Sequence, residues 1–254
     1  MGPVVWITGA SSGLGRQAAI AFARRGYRVA VTARRADELD ALARDFSDPV
    51  GEIVTFPGDV TDARAMADVV AAIERELGPI GIAVLNAGDY RTLTSTQFTA
   101  SALRAQYELN VFGSANCVEA LLPRMIGRGA GRLYLVASLA GYVGLPRAVA
   151  YGSSKAALIL MAESMRIELE PLGVVVGVVN PGFVKTPLTA KNDFPMPFLM
   201  PVERAAECLV DGVLDGRFEV AFPWTFVTLM KLLRCLPYGL GLPLIRRLTG
   251  SRRR

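Results

Sequence analysis

The chain has 254 residues, 52% of them hydrophobic and 20% charged, which is enough apolar sequence for one substantial core. It contains no histidine, which excludes Ser-His-Asp hydrolases, Cys-His proteases and metal sites that need a histidine ligand. The net charge of +5 arises after Trp224, where seven Lys and Arg side chains and no acids occur, so the basic charge belongs to a tail and predicts no nucleic-acid-binding face on the body.

The first predicted element is an apolar strand, VVWIT at 4–8, which runs into the glycine-rich turn GASSGLG and a helix that ends at Gly26. Glycines allow the tight turn, and the backbone N–H groups at the start of the helix can bind an anion such as a phosphate. The turn also fits the GxSxG pattern of hydrolases, but that motif requires a histidine base and the chain has none. We therefore predict a phosphate-binding turn.

The second strand, YRVAVTARR at 27–35, bears on the choice of cofactor. In dinucleotide-binding folds an acid near the end of this strand binds the ribose hydroxyls of NAD, whereas an arginine accommodates the 2′-phosphate of NADP. The strand ends in Arg34 and Arg35 without an acid, which favours NADP. The alternative is that both arginines are simply solvated.

Helices alternate with the strands that follow. The third strand, EIVTFPGDV, ends at Asp59–Val60, and the helix after it is predicted to be capped by Thr61 or Asp62. The fourth strand, at 80–88, runs into Asn86-Ala87-Gly88. A turn of such small residues allows a cofactor to lie against the backbone.

Residues 101–128 predict one long helix that contains Asn110, and an asparagine within a helix usually lies on the surface. GRLYLVAS is the fifth strand and ends at Ser138. The sixth strand, VVVGVVNPG at 174–182, breaks at Pro181–Gly182, and a last strand, FEVAFP, precedes the tail.

The alternation of apolar strands with helices predicts a parallel sheet covered on both faces, that is, an α/β fold of the Rossmann-like, doubly wound type in a single domain. Ligands of such sheets bind at the carboxyl ends of the strands. Five residues of interest occur at these ends: Gly9, Asp59, Asn86, Ser138 and Pro181. Their coincidence predicts a site at this edge of the sheet.

Tyr151 and Lys155 lie four residues apart in a predicted helix that runs to about Leu169, so their side chains share one face. A phenol with a pKa of about 10 is a poor acid or base at neutral pH, but a nearby ammonium lowers that pKa. Ser138 can donate a hydrogen bond to a carbonyl oxygen beside the phenol. The trio predicts proton exchange with an alcohol or ketone oxygen while another group carries hydride; the alternative is an ordinary helical Tyr–Lys pair.

Residues 185–201 are irregular, rich in proline and apolar, which predicts a flap over the site, with a plain surface loop as the alternative. We assign residues 1–223 to a dinucleotide-binding catalytic domain that includes this flap. Residues 224–254 then form an amphipathic, basic C-terminal tail.

The tail begins with WTFVTLMKLLRCL at 224–236, which predicts a helix with a broad apolar face. The segment from Pro237 to Pro243 is predicted to break the helix before a second apolar stretch, which ends in Arg246, Arg247 and Arg252 to Arg254. Three interpretations stay open: the apolar face contacts an anionic membrane surface peripherally, covers the pocket, or forms a subunit contact. No run of about 18 apolar residues predicts a membrane-spanning helix.

The three cysteines, Cys117, Cys208 and Cys235, are far apart in the sequence and match no metal-binding spacing. They predict free thiols in a reducing compartment, and no basic and apolar leader precedes the glycine turn. We expect a cytoplasmic protein.

In combination, these motifs resemble those of the classical short-chain dehydrogenase/reductase family. They occur in the family's order and spacing over roughly the first three quarters of the chain and are specific only as a set. The matching residues are TGASSGLG at 8–15, GDV at 58–60, NAG at 86–88, Asn110, Ser138, YGSSK at 151–155 and PGFVKT at 181–186.

The resemblance implies a catalytic set of four residues. Tyr151 is implied to be the acid/base, Lys155 to bind the nicotinamide ribose and lower the tyrosine pKa, and Ser138 to orient the substrate oxygen. Asn110 is implied to hold a water that relays protons to Lys155. The implied cofactor-binding residues are Gly9, Ser11, Ser12, Gly13, Leu14, Gly15, Arg34, Asp59, Val60, Asn86, Ala87, Gly88, Tyr151, Lys155, Pro181, Gly182, Val184 and Thr186.

Within that set, the resemblance places Ser11 and Arg34 where related NADP enzymes hold the 2′-phosphate, and Asp59 beside the adenine. It places the residues after Pro181 at the nicotinamide end. One position departs from the pattern, because Ser12 stands where many NADP-preferring relatives have a basic residue. Half of the usual phosphate clamp is therefore missing.

The residues and the resemblance together predict an NADP(H)-dependent oxidoreductase that acts on a lipophilic ketone or secondary alcohol. NAD(H) stays open as the cofactor of an alternative alcohol dehydrogenase of the same family. A non-catalytic dinucleotide-binding sensor is a further alternative, disfavoured because such a protein does not need Tyr151 or Lys155. The family also implies a homodimer or homotetramer, and no metal.

Overall fold

The computed structural model describes residues 3–250, which form a parallel sheet with helices on both faces. The strands are β1 (Val4–Thr8), β2 (Arg28–Thr32), β3 (Glu52–Thr55), β4 (Ile80–Leu85), β5 (Gly131–Val136), β6 (Val174–Pro181) and β7 (Glu219–Phe222). The helices are α1 (Gly13–Ala23), α2 (Ala36–Asp45), α3 (Ala63–Glu76), α4 (Ala100–Tyr107), α5 (Gly113–Arg128), α6 (Val149–Leu169), α7 (Val202–Leu214), α8 (Trp224–Cys235) and α9 (Tyr238–Leu248).

The seven strands pair in the order β3-β2-β1-β4-β5-β6-β7, and each neighbouring pair is parallel. The order reverses between β1 and β4, which creates a crevice at the carboxyl ends of these two strands. The predicted Rossmann-like, doubly wound fold is therefore confirmed.

Each face of the sheet has its own hydrophobic core. Helices α1, α2 and α7 cover one face, and α3, α5 and α6 cover the other, where α8 and α9 also contribute side chains. Every residue of β1 is buried, as is nearly every residue of β6, because both faces of the central strands are covered. The Asp62 side chain caps α3 by accepting a hydrogen bond from Ala65 N at 3.0 Å, as one of the two predicted caps.

The prediction of a single helix over residues 101–128 is wrong in one respect that matters for the site. A π-helical turn, Glu108–Phe112, separates α4 from α5. This turn carries Asn110, whose exposed fraction is 0%, so the expectation of a surface asparagine is also wrong. The wider turn changes the direction in which its side chains project, and such turns are frequent at functional sites.

The predicted helix break from Pro237 to Pro243 is only partly correct. The chain breaks at Pro237, but α9 begins at Tyr238 and continues through Pro243. A proline inside a helix removes one N–H and leaves the carbonyl four residues earlier without its partner. That residue is Gly239, which is exposed, so water can satisfy its carbonyl.

Arg252 to Arg254 of the predicted tail lie outside the described residues. Among residues 3–250, no helix is both long and apolar enough to span a bilayer.

One buried hydrogen bond joins the first two strands. The indole N–H of Trp6 donates to Thr32 Oγ1 at 2.9 Å, and both side chains are almost completely inaccessible to solvent. A buried polar group without a hydrogen-bond partner destabilises the fold, so the buried indole N–H of Trp6 requires an acceptor, which Thr32 provides.

Thr32→Val keeps the volume of the side chain but removes the acceptor of the Trp6 N–H. We expect the free energy of unfolding to fall by about 1–3 kcal/mol, because the indole N–H remains buried without a partner. Urea unfolding measures this change. Thr228→Val, at an exposed position of α8, is the control and should change stability by less than about 0.5 kcal/mol. Equal effects of the two substitutions would contradict the importance of the buried bond.

Candidate active site

The carboxyl edge of the sheet brings together the side chains that the sequence singles out. The glycine turn follows β1, Asn86 follows β4, Ser138 follows β5 and Pro181 ends β6. All these strands are parallel, so their carboxyl ends lie at one edge. The first turns of α1 and α6 flank this edge.

The glycine turn is packed tightly against the turn after β4. Gly9 has a φ of +67°, and a Cβ on it would lie 2.8 Å from Ala87 Cα. A Cβ on Gly15 would lie 2.5 Å from Asn86 Nδ2. That amide donates to the carbonyl oxygens of Thr8 at 3.1 Å and Gly9 at 3.3 Å. Asn86 therefore holds the shape of the turn, and only glycine fits at these two positions.

The start of α1 has the features of an anion-binding site. The helix begins at Gly13 after Ser12, whose side chain makes no capping hydrogen bond, and no acid lies in the first turn. Thr186, from the segment after β6, lies over this turn, because a Cβ on Gly13 would meet Thr186 Cγ2 at 3.3 Å. The backbone N–H groups at a helix start suit a phosphate.

Two arginines follow β2, and the structure gives them different partners. Arg35 Nη2 donates to Ser11 Oγ at 2.9 Å, so Arg35 rather than Arg34 contacts the predicted phosphate-binding serine. Arg34 Nη1 lies 3.9 Å from Asp59 Oδ2; the Arg34 side chain is largely exposed and the Asp59 side chain is partly buried. The sequence prediction named Arg34 and omitted Arg35 from the site. The adjacent position in the same motif is the only signal that could have included it.

Beyond the arginines, the predicted adenine-side residues lie at the start of the loop after β3. Asp59 Oδ1 accepts hydrogen bonds from the N–H and the hydroxyl of Thr61, at 3.0 and 2.9 Å. Val60 is buried, and its carbonyl accepts from Asn116 Nδ2 at 2.9 Å. These bonds hold the loop beside the crevice.

Tyr151, Lys155 and Ser138 meet at the start of α6. Ser138 Oγ accepts from Ala140 N at 3.1 Å and donates to the Pro181 carbonyl oxygen at 3.3 Å, and its hydroxyl lies beside the Tyr151 phenol. Lys155 Nζ lies 5.7 Å from the centre of the Tyr151 ring. The ammonium donates to the Val136 carbonyl oxygen at 2.8 Å, which anchors it to the end of β5.

Burial dominates the electrostatics of this pair. It raises the pKa of Tyr151 to about 12, an effect that the neighbouring Ser138 hydroxyl opposes and the nearby Tyr90 and Asp89 reinforce. Burial also lowers the pKa of Lys155 to about 8. The sequence predicts a lowered tyrosine pKa, and this direction is wrong for the chain as described, because desolvation disfavours the charged form of both groups.

Asn110 is bonded on every side by protein groups. Its Oδ1 accepts from Asp89 N at 2.9 Å, and its Nδ2 donates to Asp89 O at 3.1 Å and Ser154 Oγ at 3.0 Å. Ser154 Oγ in turn donates to the Tyr151 carbonyl at 2.7 Å. A Cβ on Gly88 would lie 3.1 Å from Asn110 Oδ1 and 3.4 Å from Lys155 Nζ. Asn110 thus links the turn after β4 to the helix that carries Tyr151 and Lys155.

Aromatic side chains surround the phenol and the flap. Tyr90 contacts Tyr151 edge-on, with ring centres 4.9 Å apart. Phe183 stacks on Phe226 of α8 at 5.6 Å and contacts Phe194 of the flap at 6.0 Å. The sequence prediction missed Tyr90, Phe183 and Phe226 as individual site residues, since only their positions after strands distinguish them from core residues.

The predicted flap, 185–201, is closed at its base and fastened near its middle. Lys185 N donates to Met200 O, and Met200 N donates to Phe183 O, each at 2.9 Å. Arg147, from the loop before α6, forms an ion pair with Asp193 at 2.8 Å. The flap therefore spans from the glycine turn to the entrance of α6. Residues 3–250 contain no cluster of acidic or cysteine side chains that could hold a metal ion.

Comparison with known proteins gives a consistent result. A sequence model of the family described as short chain dehydrogenase matches residues 3–195. An uncharacterized oxidoreductase of Myxococcus xanthus (strain DK1622) is 42% identical over 243 residues, which cover 95% of this chain and 96% of that protein. A short-chain dehydrogenase from Streptomyces avermitilis has a similar structure, with a TM-score of 0.81, 28% identity, and coverage of 91% of this chain and 92% of that one.

A second solved structure is informative about ligands. It is a short-chain dehydrogenase from Sphingobium yanoikuyae in complex with NADPH, with a TM-score of 0.80 and 26% identity. The match covers 99% of this chain and 96% of that chain, so it extends through the C-terminal helices.

The depressed pKa of Lys155 predicts a pH-dependent stability. Between about pH 8 and its ordinary value of 10.5, the unfolded chain holds a proton on this amine that the native chain has lost. The free energy of unfolding of the wild type should therefore rise with pH across this window relative to Lys155→Met, by at most about 3 kcal/mol. Below pH 8 the native amine is charged and this gain is absent.

Urea unfolding at several pH values, with wild type and variant in parallel, measures the difference. Lys191→Met removes one positive charge from an exposed position and is the control for net charge. Parallel pH profiles for wild type and Lys155→Met would show that burial does not depress the pKa of this amine.

Proposed function

Because this chain belongs to the short-chain dehydrogenase family, we propose that it is an NADP(H)-dependent oxidoreductase acting on a lipophilic ketone or secondary alcohol. The observation that carries the proposal is the meeting of Tyr151, Ser138 and Lys155 at the carboxyl edge of the sheet, beside a turn suited to a phosphate. The bound cofactor supplies or accepts the hydride. The protein supplies the proton and the orientation.

Tyr151 acts as the general acid/base. With its pKa raised to about 12, the phenol keeps its proton at neutral pH. In the reductive direction it donates that proton to the carbonyl oxygen as hydride reaches the carbon, which yields the alcohol. This donation leaves a phenolate, and oxidation starts from the same phenolate, so burial opposes that charged form in both directions.

Ser138 and the groups behind Tyr151 position the reaction. The Ser138 hydroxyl, beside the phenol, orients the substrate oxygen. Asn110 holds the backbone of Asp89 and, through Ser154, the first turn of α6. Lys155 lies between Gly88 and the end of β5, where it binds the nicotinamide ribose. If the substrate carbonyl oxygen were displaced from the Tyr151 phenol, the reaction rate would fall, because proton transfer requires the two oxygens to be within hydrogen-bond distance.

The cofactor residues follow the edge of the sheet. Arg35, bonded to Ser11, joins Arg34 as the group that recognises a 2′-phosphate, and the absence of an acid at the end of β2 favours NADP(H) over NAD(H). The NADPH in the Sphingobium yanoikuyae relative supports this choice. The proposed contacts to the remainder of the cofactor are Gly9, Ser12, Gly13, Leu14, Gly15, Asp59, Val60, Asn86, Ala87, Gly88, Pro181, Gly182, Val184 and Thr186.

The substrate class follows from the surroundings of the phenol. Tyr90 borders Tyr151, and the flap presents Phe194 and Phe198 against Phe183 and Phe226. Such a surface gains free energy from covering apolar groups. We assign a lipophilic carbonyl or alcohol as the substrate.

Assembly and compartment are proposed from the surface and the thiols. Exposed apolar side chains on α5 and α6, among them Ile126, Leu160 and Ile167, suit a homodimer or homotetramer built through these helices. Cys117, Cys208 and Cys235 are all free, which is consistent with a reducing cytoplasm.

Tyr151→Phe should reduce kcat for ketone reduction by at least about 100-fold, because the ring still packs but no proton is available. NADPH affinity, measured separately by fluorescence titration, should be retained. A series of ketones of graded chain length, with nicotinamide absorbance as the readout, provides the assay. Tyr27→Phe, at the opposite end of β2, is the matched control and should leave kcat unchanged. Retention of a tenth or more of kcat in Tyr151→Phe would refute the assignment.

Arg35→Ala and Arg34→Ala should each raise KM for NADPH and leave KM for NADH nearly unchanged. Loss of a charge-assisted contact to the phosphate corresponds to about 10–100-fold. The Arg35 variant should show the larger effect, because its side chain already contacts Ser11. Arg24→Ala, an exposed arginine beyond α1, is the control. Equal use of NADH and NADPH by the wild type would overturn the cofactor assignment.

A further inference from the structure

Helices α8 and α9 present a row of large apolar side chains to solvent. Trp224 is 76% exposed and Tyr238 is 84% exposed, values far above those of core aromatic residues. The further exposed apolar side chains of these helices are Leu229, Leu232, Leu240, Leu242, Leu244 and Leu248. A concentration of exposed apolar side chains on two consecutive helices indicates an interaction site.

The surface is held in place by the opposite side of α8. Phe226, Met230 and Leu233 are buried in the core, so this side of α8 packs on the body of the protein. Lys231 forms an ion pair with Glu219 at the start of β7. Ile245 anchors α9 to the same core.

The exposed residues form stripes along the two helices. On α8, Trp224 and Leu232 are eight residues apart, with Thr228 between them, and on α9 Leu240, Leu244 and Leu248 recur every four residues. A spacing of four is about one helical turn, so each set lies on one side of its helix. Both stripes are exposed while the core-facing positions are buried.

All charged side chains that α8 and α9 themselves carry are positive, although one of them, Lys231, is paired with Glu219 of β7. Lys231, Arg234, Arg246 and Arg247 are the charged residues from 224 to 250, and the sequence contains no acid from 224 to its end. The Arg234 guanidinium lies 5.8 Å from the centre of the Tyr142 ring, at the carboxyl end of α8. Two copies joined through this face would bring like charges together. An anionic lipid surface is complementary to both the apolar and the cationic groups.

The core-facing side of α8 contacts the flap, which has exposed apolar residues of its own. Phe226 of α8 lies 5.8 Å, centre to centre, from the ring of Phe198, and Phe198 and Leu199 are themselves exposed. Phe226 also stacks on Phe183, which follows β6. The buried side of α8, opposite its exposed apolar residues, is therefore joined by aromatic contacts to the segment that borders the proposed pocket.

We propose that α8 and α9 dock on the surface of an anionic lipid bilayer and orient the flap toward it. With 12 and 11 residues, each helix is shorter than the about 20 residues needed to cross the hydrocarbon core, so both lie in the interface. The stripes enter the boundary between headgroups and acyl chains, and the net positive charge of the two helices is attracted to lipid phosphates and carboxylates. A lipophilic substrate dissolved in the bilayer then reaches the flap without crossing water.

Vesicle co-sedimentation with the full-length protein tests the proposal independently of any enzymatic activity. The vesicles contain phosphatidylserine mixed with phosphatidylcholine, or phosphatidylcholine alone. We expect binding to the anionic vesicles that weakens as salt is raised. Two double variants each remove two apolar side chains from the interface: Leu240→Ser/Leu244→Ser and Trp224→Ser/Leu232→Ser. We expect each variant to bind the anionic vesicles at least about tenfold more weakly than the wild type.

The control Val50→Ser/Leu172→Ser removes two exposed apolar side chains elsewhere and should bind like the wild type. Circular dichroism and thermal unfolding verify that each variant is folded, which the exposure of the substituted positions favours. Failure of the wild type to sediment with anionic vesicles would overturn the proposal, as would equal binding by the stripe variants. Light scattering that shows the stripe variants to dissociate an oligomer, with no vesicle binding by the wild type, would assign the surface to contacts between copies instead.

Discussion

The parallel direction of all seven strands is the constraint on which the site depends. Because every strand ends at the same edge, the glycine turn after β1, Asn86 after β4 and Ser138 after β5 converge although they are far apart in the chain. Parallel pairing also requires crossover helices, and two of these, α1 and α6, begin at that edge. One supplies free backbone N–H groups, and the other supplies Tyr151 and Lys155. The architecture therefore sets the position of the chemistry before any side-chain detail.

Burial then sets the protonation of the groups at this edge. Desolvation disfavours charge on either member of the Tyr151–Lys155 pair, so it raises the pKa of the phenol and lowers that of the amine. The phenol therefore retains its proton at neutral pH, and the Ser138 hydroxyl partly opposes the effect of burial. The π-helical turn with Asn110 holds the neighbouring backbone in register with α6. Proton chemistry and backbone geometry are thus coupled through a few buried hydrogen bonds.

The aromatic contacts around Phe226 join parts of the chain that the sequence separates. Phe183 follows β6, Phe198 belongs to the flap and Phe226 belongs to α8, and their rings lie within 6 Å of one another in two pairs. One side of α8 thereby completes the core beside the pocket, while the other side faces solvent. A movement of α8 would therefore displace the flap through the contact between Phe226 and Phe198. The proposed bilayer contact and the proposed lipophilic substrate follow from the same apolar continuity.

The sequence by itself determined the elements and the family: apolar periodicity predicted the strands and helices, and the spacing of Tyr151 and Lys155 placed both on one face of α6. Only the tertiary structure decided that Asn110 is buried, that Arg35 rather than Arg34 bonds Ser11, that the pKa of Tyr151 is raised, and that α8 is split between core and solvent. Helical and strand periods arise from local backbone geometry, which a short stretch of sequence encodes. Burial and hydrogen-bond partners depend on residues that are distant in the chain, and these meet only when the sheet and its helices have packed.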